Sequence, residues 1–202
     1  CLASMLFVAA LYAAALWLPL PSRLAVPDST VMTYREGSTA HVFLSDDEQW
    51  RIKAPLTEID PAYIRALVRL EDKRFYEHWG VDPIAILRSA FLNLRKGRVV
   101  SGASTITMQL ARLLEPRPRT FRSKAIEAFR AIQLEIQLSK AEIMEHYLRF
   151  VPYGRNVEGI ETAALSYFGH GAKALTPNEI AILLAVPQAP SQRHPRPRHT
   201  ER

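Results

Sequence analysis

Apolar positions follow three successive patterns along the chain. From residue 1 to residue 20, "CLASMLFVAALYAAALWLPL" carries no charge, and roughly 20 apolar residues in helical form cross a bilayer. The run predicts a transmembrane anchor, since the apolar core of a cleaved signal peptide is shorter, roughly 7–15 residues. Trp17 suits the membrane interface, and Pro19 and Pro21 mark the exit. Between residues 31 and 53 the runs become short and β-like. "VMTYR" is followed by "HVFL" and "WRIK", which flank the turn-rich "SDDEQ", and that spacing predicts a hairpin of the last two. Residues 21–56 thus read as an extended, partly β linker.

After Leu56 the pattern is helical, with repeated start and stop signals. Asp60-Pro61 and Asp82-Pro83 place an N-cap before a proline at the first helical position, and Gly97 stops the second of these helices. Ser104 or Thr105 caps "ITMQLARLLE", "SKAE" and "TPNE" are capping boxes, and Gly169 ends "GIETAALSYF". In the helix of residues 121–138, Ile126, Phe129, Ile132 (or Gln133) and Ile136 form a stripe predicted to be buried. Lys124 and Glu127 lie three apart on the same helix and can project together. The expected fold class is mainly α.

Composition narrows the partners. The 202 residues are 48% hydrophobic, enough for a core, and 26 Lys+Arg against 20 Asp+Glu give a net charge of +6. That balance favours phosphates, anionic lipid headgroups or nucleic acid. Scattered bases and an anchor that holds the domain outside the cytoplasm disfavour nucleic acid. With Cys1 alone there is no internal disulfide or Cys-rich zinc site, and the six histidines show no metal-binding spacing.

Two stretches carry candidate chemistry. In "EDKRFYEHWGVDP", Glu71 and Asp72 end an amphipathic helix before Phe75, Tyr76 and Trp79, aromatics able to keep a proton-transferring carboxylate partly dry. Spacing alone favours the plainer reading, a solvated helix end paired with Lys73 or Arg74. His78 reads equally as an orienting partner or a buried, satisfied histidine. In "GASTITMQLAR", small residues and hydroxyls open a helix whose first amides suit an anion, with Gln109 and Arg112 following at helical spacing.

"EDKRFYEHWGVD", "GASTITMQLAR", "RSKAIE" and "YLRFVPYGRNVEGIETAALSYFG", in this order and separation, resemble the successive motifs of the family 51 glycosyltransferases. These are the peptidoglycan glycosyltransferase domains of class A penicillin-binding proteins and monofunctional transglycosylases. The segment from Asp46 to Pro83 and Met108 are most similar to the penicillin-binding protein 1C subgroup, and "TPNEIAILLAVPQAPSQRHP" resembles a fifth conserved segment.

The resemblance implies a lysozyme-like, two-lobed α-helical domain over residues 57–202 that polymerises lipid II with inversion to β-1,4 linkages and release of undecaprenyl diphosphate. It makes Glu71 the catalytic base and Glu127 the second essential glutamate, acting at the donor diphosphate or positioning the site. Asp72, Phe75 and His78 match the rest of the first motif, and Ser104, Thr105, Gln109 and Arg112 match the second. Lys124 matches the lysine three places before the second glutamate. No cofactor is required; a divalent cation, magnesium or manganese, accompanies the diphosphate in some members. The implied partners are lipid II, the growing glycan chain, the bilayer and other cell-wall synthesis proteins. The implied location is the bacterial inner membrane, single-pass, with the catalytic domain on the periplasmic side.

Three departures stand out: Ser123 where arginine usually precedes the lysine, with Arg122 one place earlier; Arg149 for a usual asparagine; and His170 for a usual lysine. No S-x-x-K occurs, so the chain is expected to be a truncated part of a longer protein, without its transpeptidase domain. The competing readings are a lysozyme-like lytic enzyme, which has no need of diphosphate-binding cations, and a non-catalytic cell-wall scaffold.

Overall fold

The computed structural model describes Ala9 and residues 12–37, 39–98 and 102–188. It is mainly helical, with two small two-stranded sheets. The chain divides into two compact units, Cys1–Ala25 with Leu67–Tyr147 and Val26–Ala66 with Leu148–Arg202.

The first unit takes in residues 12–17, which are helical, and a 3-10 turn at Ser22–Ala25. It continues with the end of α1 (Pro61–Glu71), then α2 (Pro83–Lys96), α3 (Ile106–Leu114), α4 (Phe121–Gln137) and most of α5 (Lys140–Phe150). Its centre is α3. Ile106, Thr107, Met108, Leu110, Ala111 and Leu114 are all buried there, and α3 packs against α4. Each large apolar side chain fully removed from water contributes about 1.5–3 kcal/mol.

The buried face of α4 is not the one its apolar residues mark. Ser123, Glu127, Ala131 and Leu134 are buried, at spacings of four, four and three, and so is Gln133, the alternative position of the expected stripe, whereas Ile132 is 41% exposed and Ile126, Phe129 and Ile136 are half-buried. Close approach decides this. Gly80 lies so near that a Cβ there would stand 2.6 Å from the carbonyl carbon and oxygen of Ala131, leaving room for an alanine face and not for a row of isoleucines. Glutamines of α4 hold residues 12–17 and the chain just after them: Gln137 Nε2 donates to Ala15 O and Gln133 Nε2 to Leu18 O, each at 2.7 Å.

On α2 the apolar positions Ile84, Leu87, Phe91 and Leu94 recur at helical spacing yet stay 57–85% exposed. Asp82 caps this helix, accepting from Ala85 N at 2.8 Å, and Gly97 ends it in the left-handed region.

In the second unit β1 (Val31–Thr33) pairs antiparallel with β2 (Thr39–Val42), and β3 (Trp50–Arg51) pairs parallel with β4 (Val157–Glu158). The expected hairpin of "HVFL" with "WRIK" is therefore not formed. Arg51 supplies the reason. Its side chain is fully buried and donates to Glu158 at 2.9 Å, to Asp47 at 2.5 Å and to Pro27 O at 3.1 Å, with the guanidinium 5.1 Å from the Phe150 ring centroid. Such a charge goes where its partners are, and Glu158 lies far along the chain. Arg149 holds the entry to this unit by donating to Asp28 at 2.6 Å and to Val26 O, which gives one of the departures a structural task.

The remaining helices, α6 (Ile160–Phe168) and α7 (Pro177–Ala185), pack together. Thr176 and Glu179 form the expected capping box, and Gly169 ends α6. Beside it His170 Nε2 lies 3.1 Å from Glu179; the Gly171 carbonyl and this carboxylate raise the His170 pKa. Half of the predicted anchor, residues 1–8, 10 and 11, lies outside the described residues. Among the described residues no helix is long and apolar enough to cross a membrane.

Candidate functional site

All ten residues singled out from the sequence belong to the first unit, where they form two groups joined by Ser104. Glu71 closes α1. Its Oε2 accepts from Gln109 Nε2 at 2.9 Å, and Gln109 Oε1 accepts from Tyr147 Oη at 3.2 Å.

Asp72, next to it, is buried and works on the scaffold. Both its oxygens lie 3.0 Å from His78 Nε2, and Oδ2 also accepts from Ile106 N at 3.0 Å. His78 Nδ1 is buried without a hydrogen-bond partner, so the pattern assigns the proton to Nε2. Thr105 caps α3 by accepting from Met108 N at 3.1 Å and donates to Gly80 O at 2.5 Å. Carboxylate and hydroxyl together fasten the first motif to the start of α3, satisfying amides that a helix N-terminus leaves unpaired. The anion cradle expected of those amides is thus occupied from within by Asp72.

Phe75 is fully buried, meets Tyr76 edge-on, and has Lys140 Nζ 4.5 Å from its ring centroid. Lys140 also donates to His78 O and to Glu135, each at 2.7 Å. Tyr76 and Trp79 are 63% and 73% exposed, so of the three aromatics expected to keep Glu71 dry only Phe75 is removed from water. Pairing of Glu71 or Asp72 with Lys73 or Arg74 does not occur. Arg74 instead grips Asp82 with both Nε and Nη2, so Asp82 is more than a cap. That ion pair, helped by Ala85 N–H, holds the Asp82 carboxyl below its ordinary range.

Glu71, Asp72, Arg74, Arg88, Ser104 and Thr105 line a polar groove of about 170 Å³. From Ser104 the network passes to the second group: Lys124 Nζ donates to Ser104 Oγ and, at 3.1 Å, to Glu127 Oε2. Glu127 has 8% of its side chain exposed, and Lys124 has 43%. Arg112, Arg119, Phe121, Ser123, Lys124 and Glu127 line an open groove of about 420 Å³. No carboxylate pairs with Arg112 among the described residues, so its charge is available to an anion. Ser123 takes part in the cap of α4, its N donating to Thr120 Oγ1 at 3.1 Å. The displaced Arg122 is exposed and does not line the groove, whereas Arg119 does. No group of three or more His, Cys, Asp or Glu suited to a metal occurs among the described residues.

The family described as Transglycosylase matches residues 36–202. The chain belongs to the transglycosylase family. It is 41% identical over 191 residues to penicillin-binding protein 1C of Escherichia coli (strain K12), covering 95% of this chain and 24% of that protein. Penicillin-binding protein 1A of the same organism is 45% identical over 150 residues, 73% of this chain and 18% of the relative. Penicillin-binding protein 2D of Bacillus subtilis (strain 168) is 39% identical over 168 residues, 82% of this chain and 24% of the relative. The chain thus spans about a quarter or less of the length of these relatives.

The transglycosylase match takes in every residue of both groups. Arg119, Lys140, Glu135 and Tyr147 were not foreseen. Arg119 lies just before a quoted motif and Tyr147 opens another, neither with a spacing rule to single it out, and Glu135 and Lys140 carry no motif signal beyond the capping box that Lys140 falls in. A larger cavity of about 480 Å³ in the second unit, lined by His41, Trp50, Leu165 and others, contains none of the predicted residues.

Proposed function

We propose that this chain is a peptidoglycan glycosyltransferase domain that polymerises lipid II. The observation that carries the reading is the division of labour in the first unit. One glutamate accepts from the neutral Gln109 amide beside a polar groove, and a second sits with Lys124 in a groove where Arg112 and Arg119 are available to an anion. Glycosyl transfer from a diphosphate needs both, a base for the attacking hydroxyl and positive charge for the leaving group.

In this mechanism Glu71 takes the proton of the acceptor sugar's 4-hydroxyl as that oxygen bonds to the anomeric carbon of the growing chain. The bond from that carbon to the diphosphate breaks, its electron pair leaves with undecaprenyl diphosphate, and configuration inverts. Arg112, Arg119 and Lys124 balance the charge that develops. Glu127 holds Lys124 towards the groove and Ser104. Asp72, His78 and Thr105 keep the first motif against α3, with Phe75 as its buried anchor. A divalent cation fits poorly, because Glu127 is the groove's one carboxylate and is already neutralised by Lys124; no step here runs through a metal.

The wider reading follows the family: a lysozyme-like, two-lobed domain over residues 57–202, an anchor at residues 1–20, a linker at 21–56, and a downstream transpeptidase domain. The domain would face the periplasm from the inner membrane, alongside other cell-wall synthesis proteins. The exposed stripe of Ile84, Leu87, Phe91 and Leu94 on α2 supports contact with the bilayer that presents the substrate. A lytic enzyme would need to protonate a sugar leaving group and would gain nothing from Arg112, Arg119 and Lys124.

Polymerisation of labelled lipid II by the detergent-solubilised protein tests the proposal. Glu71→Gln is expected to lower the rate by about 10²–10⁴-fold, the usual contribution of a positioned base. Full activity in that variant would overturn the base assignment. Cleavage of preformed glycan without polymerisation would favour the lytic reading, and neither activity the scaffold.

A further inference from the structure

We propose that Tyr147 is a positioning residue for Glu71, acting through the side-chain amide of Gln109; this rests on the reading of Glu71 as the base. Tyr147 is 3% exposed and sits on α5 among the fully buried Ile143 and Met144, so its hydroxyl is held in place. It donates to Gln109 Oε1 at 3.2 Å, and Gln109 Nε2 donates to Glu71 Oε2 at 2.9 Å. The three groups come from α5, α3 and α1, with 38 residues separating each bonded pair.

The chemistry of the three groups is complementary in either protonation state. An amide has one donating end and one accepting end, and a phenol both donates and accepts. While Glu71 is ionised, the amide presents Nε2 to it and Oε1 to the Tyr147 hydroxyl. Once Glu71 has taken the proton of the attacking sugar hydroxyl, its O–H needs an acceptor. A half-turn of the amide then offers Oε1 to Glu71, and Nε2 donates to Tyr147 Oη. Both ends of the Gln109 amide, and the Glu71 oxygen it faces, keep a partner before and after proton transfer, so the step leaves neither of these half-buried groups without a hydrogen bond. Phenylalanine at 147 removes that property without changing the shape of the packed ring. Asp72 does not serve this purpose, because both its oxygens are committed to His78 and the α3 amide.

The test is a double-mutant cycle on lipid II polymerisation by the detergent-solubilised protein, with kcat, KM and the melting temperature measured for each variant. Tyr147→Phe is expected to lower kcat by about tenfold, the scale of one hydrogen bond, while KM and melting temperature stay near wild type. Gln109→Met is expected to lower kcat at least as much, and adding Tyr147→Phe to it should cost nothing further. Gln109→Leu replaces Gln109→Met if the latter fails to fold. Equal losses from Tyr147→Phe in both backgrounds, or a raised KM with kcat unchanged, would overturn the relay. Glu71→Gln run alongside separates the two levels. An active Glu71→Gln protein refutes the base assignment itself, whereas an inactive one with additive effects at 147 and 109 refutes only the relay.

Discussion

Replacing Gly80 with alanine probes the contact that holds the first motif against α4. Gly80 has φ +78°, and an added Cβ would lie 2.6 Å from both C and O of Ala131 and 3.0 Å from Ile132 N. These are backbone atoms of a long helix, which cannot swing aside as a side-chain tip would. Two costs add. A side chain in the left-handed region costs about 1–2 kcal/mol, and forcing extra volume into a packed contact costs about 1–3 kcal/mol, so the expected loss is about 2–5 kcal/mol. For a domain of this size that lowers the melting temperature by roughly 4–20 °C.

Gly97 separates the two terms. It has φ +61° and nothing within 4 Å of its would-be Cβ, so Gly97→Ala is expected to cost only the strain, about 1–2 kcal/mol. Thermal unfolding of both variants, followed by far-ultraviolet circular dichroism in one detergent, gives the comparison. Equal losses would refute the close approach to Ala131. Lipid II polymerisation at a temperature where both remain folded should fall further for Gly80→Ala, since Gly80 O also accepts from Thr105 at the start of α3.

Two further predictions test the ion pairs. Asp82 has a folded pKa below its ordinary value of 3.8, through the Arg74 guanidinium first and Ala85 N–H as well, against the opposing effect of burial. Its stabilisation is therefore fully present above about pH 4 and is lost as pH falls through the folded value; Asp82→Asn should flatten the fall in melting temperature between about pH 5 and pH 2, and an unchanged acid limb would contradict the pairing. Glu158→Ala strips the fully buried Arg51 of one partner and is expected to cost about 3–5 kcal/mol in denaturant unfolding. Arg51→Met with Glu158→Leu should recover much of that loss, and a double variant as unstable as Glu158→Ala would refute the charge argument.

Local chemistry was legible in the chain. The caps at Asp60, Asp82, Thr105, Ser139 and Thr176 form as their residue types predict, because a cap joins atoms two or three residues apart and needs no other part of the fold. The same holds for the stops at Gly97 and Gly169 and for the Lys124–Glu127 pair, where helix geometry alone brings i and i+3 together.

The partners of Glu71 and Asp72 were not legible in the same way. Two acids beside two bases suggest a local ion pair, yet Arg74 turns to Asp82, Asp72 to His78 and the Ile106 amide, and Glu71 to Gln109. Which donor reaches a carboxylate 34 or 38 residues away depends on how α1, α3 and α5 pack, and no periodicity encodes that.

By itself the sequence determined where helices begin and end, which motifs they carry and which residue types stand ready for acid–base and anion chemistry. Only the tertiary structure decided which face of α4 is buried, which strand pairs with β3 and which neighbour supports each glutamate. The reason is range: capping and i, i+3 contacts are complete within one turn, whereas burial and buried charge pairing are settled by whichever distant surface arrives, here the backbone of Gly80 for Ala131 and the carboxylate of Glu158 for Arg51.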